Sequence, residues 1–118
     1  MPAIQPLDPT VLVFTRNGLG YGAPELQLKL AGTYLRLLLE AETVPSVVCF
    51  YTEGVNLVVS GSPMLEPLLA LEARGVRLVV CSTCLAHYGL TDSVRVGIVG
   101  GMPDILEAQR QPEKVISV

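Results

Sequence analysis

The chain has 118 residues, half of them hydrophobic and 16% charged, with a formal net charge of -3. That size fits one domain, the apolar share suffices for a core and excludes disorder, and the charge excludes the basic footprint of a nucleic-acid binder. No stretch reaches the roughly 18 uncharged apolar residues of a membrane span, and MPAIQPLDPT lacks the basic start of a signal peptide.

Residues 1–10 hold three prolines and read as a tail, and residues 11–118 read as a single domain. Val11 to Thr15 is a short apolar run, the first buried strand. RNGLGYGAP follows as a glycine-rich loop, with Pro24 suited to the first turn of a helix over 25–41. On that helix Glu25, Lys29, Thr33, Arg36 and Glu40 share one side, and leucines fill most of the rest. The apolar arc is about twice as wide as the roughly 100° that docking on one sheet face requires. It favours a homo-oligomer contact over a merely flanking helix.

SVVCFYT, Ser46 to Thr52, is the second strand, with Cys49 in its buried middle. EGVNLVVSGSP is a long connection with an extended piece at its centre. A second helix runs from Met64 to Arg74 and ends at Gly75, where a left-handed cap needs no Cβ. Val76 to Cys81 is the third strand, Cys84 to Tyr88 a short helix closed by Gly89, and Val94 to Val99 the fourth strand. Met102-Pro103-Asp104 opens a helix to about Arg110, and Lys114 to Val118 is the fifth strand. Strands alternate with helices, and the strands are continuous apolar runs. The expected fold is α/β, a mainly parallel five-stranded sheet with helices on both faces.

Chemistry collects at the carboxyl edge of such a sheet, and Cys81 is expected there, with Ser82 or Thr83 as N-cap of the next helix. Cys84 falls in that helix's first turn, where backbone amides and the helix dipole favour a thiolate. His87 lies one turn on and could pair with the thiolate or shuttle a proton. Plain packing of two buried cysteines is the competing reading. A structural zinc needs four ligands, whereas this chain offers one CxxC pair and a single histidine, so no metal is expected unless an oligomer completes the set. The thiols of a default cytoplasmic protein stay reduced, so no disulfide framework is expected. No cofactor is expected either.

Gly18-Leu19-Gly20-Tyr21-Gly22-Ala23 formally matches GxGxxA after a strand. Arg16 and Asn17 separate it from that strand, and Glu53 comes later than the fingerprint's acid, so a loop at the edge of Cys81 is preferred to a dinucleotide site. Asn17, Gly18, Gly20 and Gly22, with Gly54, Gly61 and Ser62 of the long connection, are its candidate small-ligand residues, their amides suited to a small anion.

TRNGLGYGAPEL and EGVNLVVSGSPMLEPLLALEARGVRLVVCSTCLAHYGLTD together resemble the C-terminal domain of YedF-type proteins, in the DsrE/DsrF-like superfamily. The resemblance runs from about Val11 onward and is most specific over Cys81 to Asp92. It implies a DsrE-like three-layer α/β/α domain, assembled as dimers, trimers or rings. It also implies a persulfide carried on a cysteine eight residues before a glycine, which here is Cys81 before Gly89. Cys84 matches the second cysteine of the YedF type, a type linked to selenium metabolism. Those proteins carry a TusA-like N-terminal domain. Here a short tail takes its place, so a separate TusA-like or other persulfide donor is implied.

Three functions are therefore in play. A sulfurtransferase-like carrier would load sulfur, or selenium, on Cys81 and use Cys84 as acceptor or to form a disulfide with release of sulfide. A non-catalytic oligomeric module would bind a nucleotide or small anion. A redox switch would cycle the Cys81–Cys84 pair.

Overall fold

The computed structural model describes residues 7–118. Five strands, β1 (Leu7–Phe14), β2 (Val44–Phe50), β3 (Arg77–Cys81), β4 (Ile98–Gly100) and β5 (Lys114–Ser117), form one sheet in the order β4-β3-β2-β1-β5. Every pair is parallel. The helices are α1 (Pro24–Glu40), α2 (Leu65–Ala73), α3 (Ser82–His87) and α4 (Met102–Arg110), with a 3₁₀ segment at Thr52–Val58. The expected α/β class holds, and the sheet is wholly parallel.

The layering follows from the strand order and from the period of two along each strand. The chain steps outward from β1 to β4 and then returns across the sheet to β5. Right-handed crossovers put helices of the outward steps on one face and the helix of the return on the other. Accordingly Leu12, Phe14, Val48, Phe50, Leu78 and Val80 pack with Ala31 and Leu35 of α1 and Leu68 and Leu71 of α2. The alternate residues Val11, Val13, Val47, Cys49, Val79 and Cys81 pack with Ile105 and Ala108 of α4. Phe14 and Phe50, paired in register, stack with ring centroids 5.6 Å apart.

Strand β1 starts at Leu7, inside the segment expected to be a tail; residues 1–6 of that tail lie outside the described residues. The prolines hid the strand because Pro9 cannot donate to a ladder. Here Pro9 sits at an irregularity between Asp8 and Val11, its carbonyl accepts the Glu113 amide, and Leu7 still pairs with Val44. The fourth strand is shorter than expected and shifted to Ile98–Gly100. Gly97 interrupts the run at φ +90° and donates its amide to Glu72 Oε2, while Val94 bridges antiparallel to Val59. Gly75 at φ +94° and Gly89 at φ +67° close α2 and α3 as expected.

Helix α1 resolves its excess of leucines into two stripes. Ala31 and Leu35 are buried, whereas Leu26, Leu30 and Leu37 stay 49%, 42% and 57% exposed. At 100° per residue the exposed three lie within about 40° of one another, opposite the buried pair. Helix α2 flanks α1, with Met64 against Gly32, yet it leaves this outer stripe uncovered. No helix of the described residues is long and apolar enough to cross a membrane.

Candidate functional site

Because all strands run the same way, their carboxyl ends bring the loops after β1, β2, β3 and β4 to one edge. Cys81 ends β3 beside Gly100 of β4 and is itself the residue preceding the first turn of α3. The expected N-caps Ser82 and Thr83 are instead inside the helix. The side chain of Cys81 follows Val79 onto the α4 face and is 1% exposed. Cys84, in the third helical position, is only partly buried. The thiol that solvent reaches is therefore Cys84, whereas the resemblance in sequence pointed to Cys81.

The Cys84 sulfur has two neighbours. The backbone amide of Thr52 donates to Sγ at 3.0 Å, and the Cys81 thiol lies within hydrogen-bonding reach of it. Burial and then this second thiol raise the Cys84 pKa, and the Thr52 amide opposes them; the net shift is upward. The sequence predicts a lowered value from the combined pull of backbone amides and the helix dipole. Desolvation outweighs it here because the neutral thiol is the form that burial favours.

Thr52 stands out in its own right. Its φ is +49°, the one positive value at a non-glycine among the described residues. A β-branched side chain in that region is a genuine outlier and costs on the order of 1–3 kcal/mol. The hydroxyl offsets part of this, since Oγ1 lies 2.6 Å from the Thr15 carbonyl and 2.7 Å from that of Tyr51. Just behind it the Tyr51 amide donates to the Phe14 carbonyl at 3.2 Å. The end of β1 thus fastens the turn whose amide faces Cys84. Nothing in the sequence marks this residue, because a left-handed threonine is not what local preference predicts.

The candidate loop residues do not converge on the thiols. Gly18 donates to the Arg16 carbonyl, Gly20 to that of Val118 and Gly22 to Gln27 Oε1. Those amides serve the loop itself, Val118 and the start of α1, and none of the three remains for an anion. Asn17 lies in the same loop. Gly54 is buried, and a Cβ there would meet the Phe14 carbonyl oxygen at 2.0 Å. Gly61, at φ +88°, and Ser62, whose Oγ accepts the Met64 amide, make the turn into α2. His87 is exposed and sets its ring edge-on to Tyr88 at 5.0 Å. Among the described residues no hydrogen bond joins it to either thiol. Cys49 is fully buried on the α4 face, as its strand position predicted, and burial pushes its pKa up to about 11.

No group of three or more His, Cys, Asp or Glu side chains that could hold a metal ion occurs among the described residues. A cavity of about 520 Å³ lies at the opposite, amino edge of the sheet, between Pro9, Ser46, Arg77, Asp104, Glu107 and Gln111. Neither Cys81 nor Cys84 lines it.

A model of the DsrE/DsrF-like family matches residues 19–118. Among solved structures the chain is similar to the protein of unknown function MTH1491 from Methanobacterium thermoautotrophicum, at 24% identity and a TM-score of 0.67, covering 92% of this chain and 97% of that one. It is also similar to the ychN protein from E. coli, at 19% identity and a TM-score of 0.65, over 95% and 100% of the two chains. At these identities the likeness speaks for the fold. No curated protein matches the chain.

Proposed function

This chain belongs to the DsrE/DsrF-like family, and we propose that it is a sulfurtransferase-like sulfur carrier in which Cys84 takes the sulfur and Cys81 resolves it. The observation that carries the reading is the Cys84 sulfur: accessible at the carboxyl edge, held by a backbone amide at 3.0 Å, and backed by a second thiol. A donor persulfide borne on another protein can meet only a thiol that solvent can reach.

In the first step the Cys84 thiolate attacks the terminal sulfur of a donor persulfide, R–S–SH. The donor's S–S bond breaks, R–S⁻ leaves and takes up a proton, and Cys84 carries the persulfide with no net oxidation. The Cys81 thiolate then has two targets. Attack on the outer sulfur moves the persulfide to Cys81 and frees the Cys84 thiol. Attack on the Cys84 Sγ forms a Cys81–Cys84 disulfide and expels hydrosulfide: the two thiols are oxidised by two electrons and the outer sulfur is reduced. A thiol reductant then restores the pair. Selenium fits the same steps. The donor is a TusA-like or other persulfide protein, the setting is a reducing cytoplasm, and the carrier is a homo-oligomer joined through the outer leucine stripe of α1.

Intact mass after incubation with a persulfide donor tests the order of events. Wild type and Cys81→Ser are expected to gain one sulfur, and Cys84→Ser none; only wild type releases sulfide on standing. Loading that persists in Cys84→Ser and vanishes in Cys81→Ser overturns the assignment. Loading of none of the three overturns the function.

A further inference from the structure

We propose that Thr52 is a positioning residue whose left-handed backbone, pinned by its hydroxyl to the end of β1, holds a backbone N–H on the Cys84 sulfur at each stage when that sulfur is an anion. The inference rests on the sulfur-carrier reading of Cys84 and adds to it the element that tunes the sulfur.

Three observations meet here. The Thr52 amide is 3.0 Å from Cys84 Sγ. The left-handed φ of +49° directly follows an extended Tyr51, so the chain turns at the very residue whose N–H meets the sulfur. The hydroxyl at 2.6 Å from the Thr15 carbonyl is the brace that keeps a β-branched residue in a region it otherwise avoids. Strain retained at a reacting atom, with a dedicated brace, is the usual mark of a position where geometry serves chemistry.

Negative charge sits on Sγ twice in the cycle. Before loading, the S–H bond gives up its proton and the thiolate forms. During transfer to Cys81, the S–S bond breaks and its electron pair returns to Sγ, which leaves as a thiolate. One amide serves both, because a hydrogen bond to the anion favours ionisation and also makes the better leaving group. The covalently occupied sulfur between those moments is neutral, so the same contact does not trap the loaded state.

Substitutions of the full-length chain separate brace from bystander. Thr52→Ser keeps the hydroxyl, Thr52→Val keeps the shape without it, and Thr52→Ala removes it with less crowding. The readout is the pH midpoint of Cys84 alkylation by iodoacetamide, followed by peptide mass mapping, which needs no sulfur donor. Thr52→Ser should match wild type. Thr52→Val and Thr52→Ala should titrate higher by about one pH unit, and load persulfide about tenfold more slowly at neutral pH. A midpoint that stays at the wild-type value in folded Thr52→Val or Thr52→Ala, judged by circular dichroism, overturns the proposal. A shifted midpoint in a protein that takes up no sulfur supports the brace and removes the carrier reading instead.

Discussion

Replacing Gly54 by alanine should unfold this domain more easily, and the geometry gives the size of the effect. The new Cβ would stand 2.0 Å from the Phe14 carbonyl oxygen and 2.7 Å from its carbon, where a carbon–oxygen contact wants about 3.3 Å or more. Both atoms are backbone at the buried carboxyl end of a strand flanked on both sides, so the Tyr51–Gly54 turn must retreat by more than an ångström. Retreat weakens the Tyr51 amide bond to Phe14 and the Thr52 hydroxyl bond to Thr15, about 1 kcal/mol each. Residual overpacking adds about 1–3 kcal/mol, and the stiffer unfolded chain returns about 0.4–1 kcal/mol. The net loss is about 2–4 kcal/mol, read as a drop in the urea midpoint at unchanged m-value. Gly22→Ala is the control, since nothing lies within 4 Å of its added Cβ. A Gly54→Ala protein as stable as Gly22→Ala would refute the close approach on which the Thr52 geometry depends.

The buried Cys49 thiol, raised from 9.0 to about 11 with Arg77 pulling weakly the other way, makes stability depend on pH in a set direction. Below pH 9 both states keep the proton; between 9 and 11 only the unfolded chain releases it, so wild type should lose about 2–3 kcal/mol over that window. Cys49→Ala, compared by urea melts at pH 8 and pH 11, should lose correspondingly less, and parallel losses in the two proteins would contradict the assignment. The outer stripe of α1 gives a further test: Leu26, Leu30 and Leu37 changed together to glutamine should lower the sedimenting mass to that of one chain while leaving the thermal midpoint of the subunit nearly unmoved. A wild type already sedimenting as one chain would contradict it.

What could be read from residues alone was whatever is written locally. The helix opening at Met102 was marked by Pro103 and by Asp104, whose carboxylate does accept the Gly101 amide at 2.8 Å. Gly75 and Gly89 marked helix ends because only a left-handed residue fits there. The strands announced themselves as unbroken apolar runs. Features set by distant parts of the chain were hidden. Leu7 joins the sheet because Val44 lies beside it, which three nearby prolines disguise. Cys81 and Cys84 looked alike as a motif, yet alternation along β3 sends Cys81 down beside Val79 under α4, and three helical residues bring Cys84 back towards the surface. That alternation was available in Val79-Val80-Cys81 and would have ranked the thiols. The glycines of the first loop suggested an anion cradle, but their amides are spent on Arg16, Val118 and Gln27, partners that no local pattern could supply.

The return of the chain from β4 to β5 carries a consequence for how the protein is made. Thr10 pairs with Lys114 and Val13 with Ser117, so β5 can join β1 only after the four preceding strands have been made. Until then β1, which lies between β2 and β5 in the finished sheet, presents one bare edge to the cell, a template for mispairing with other nascent chains. The sheet is therefore complete only once residues 114–117 have been made. Heavy overproduction should send it into inclusion bodies more readily than a helical bundle of equal length.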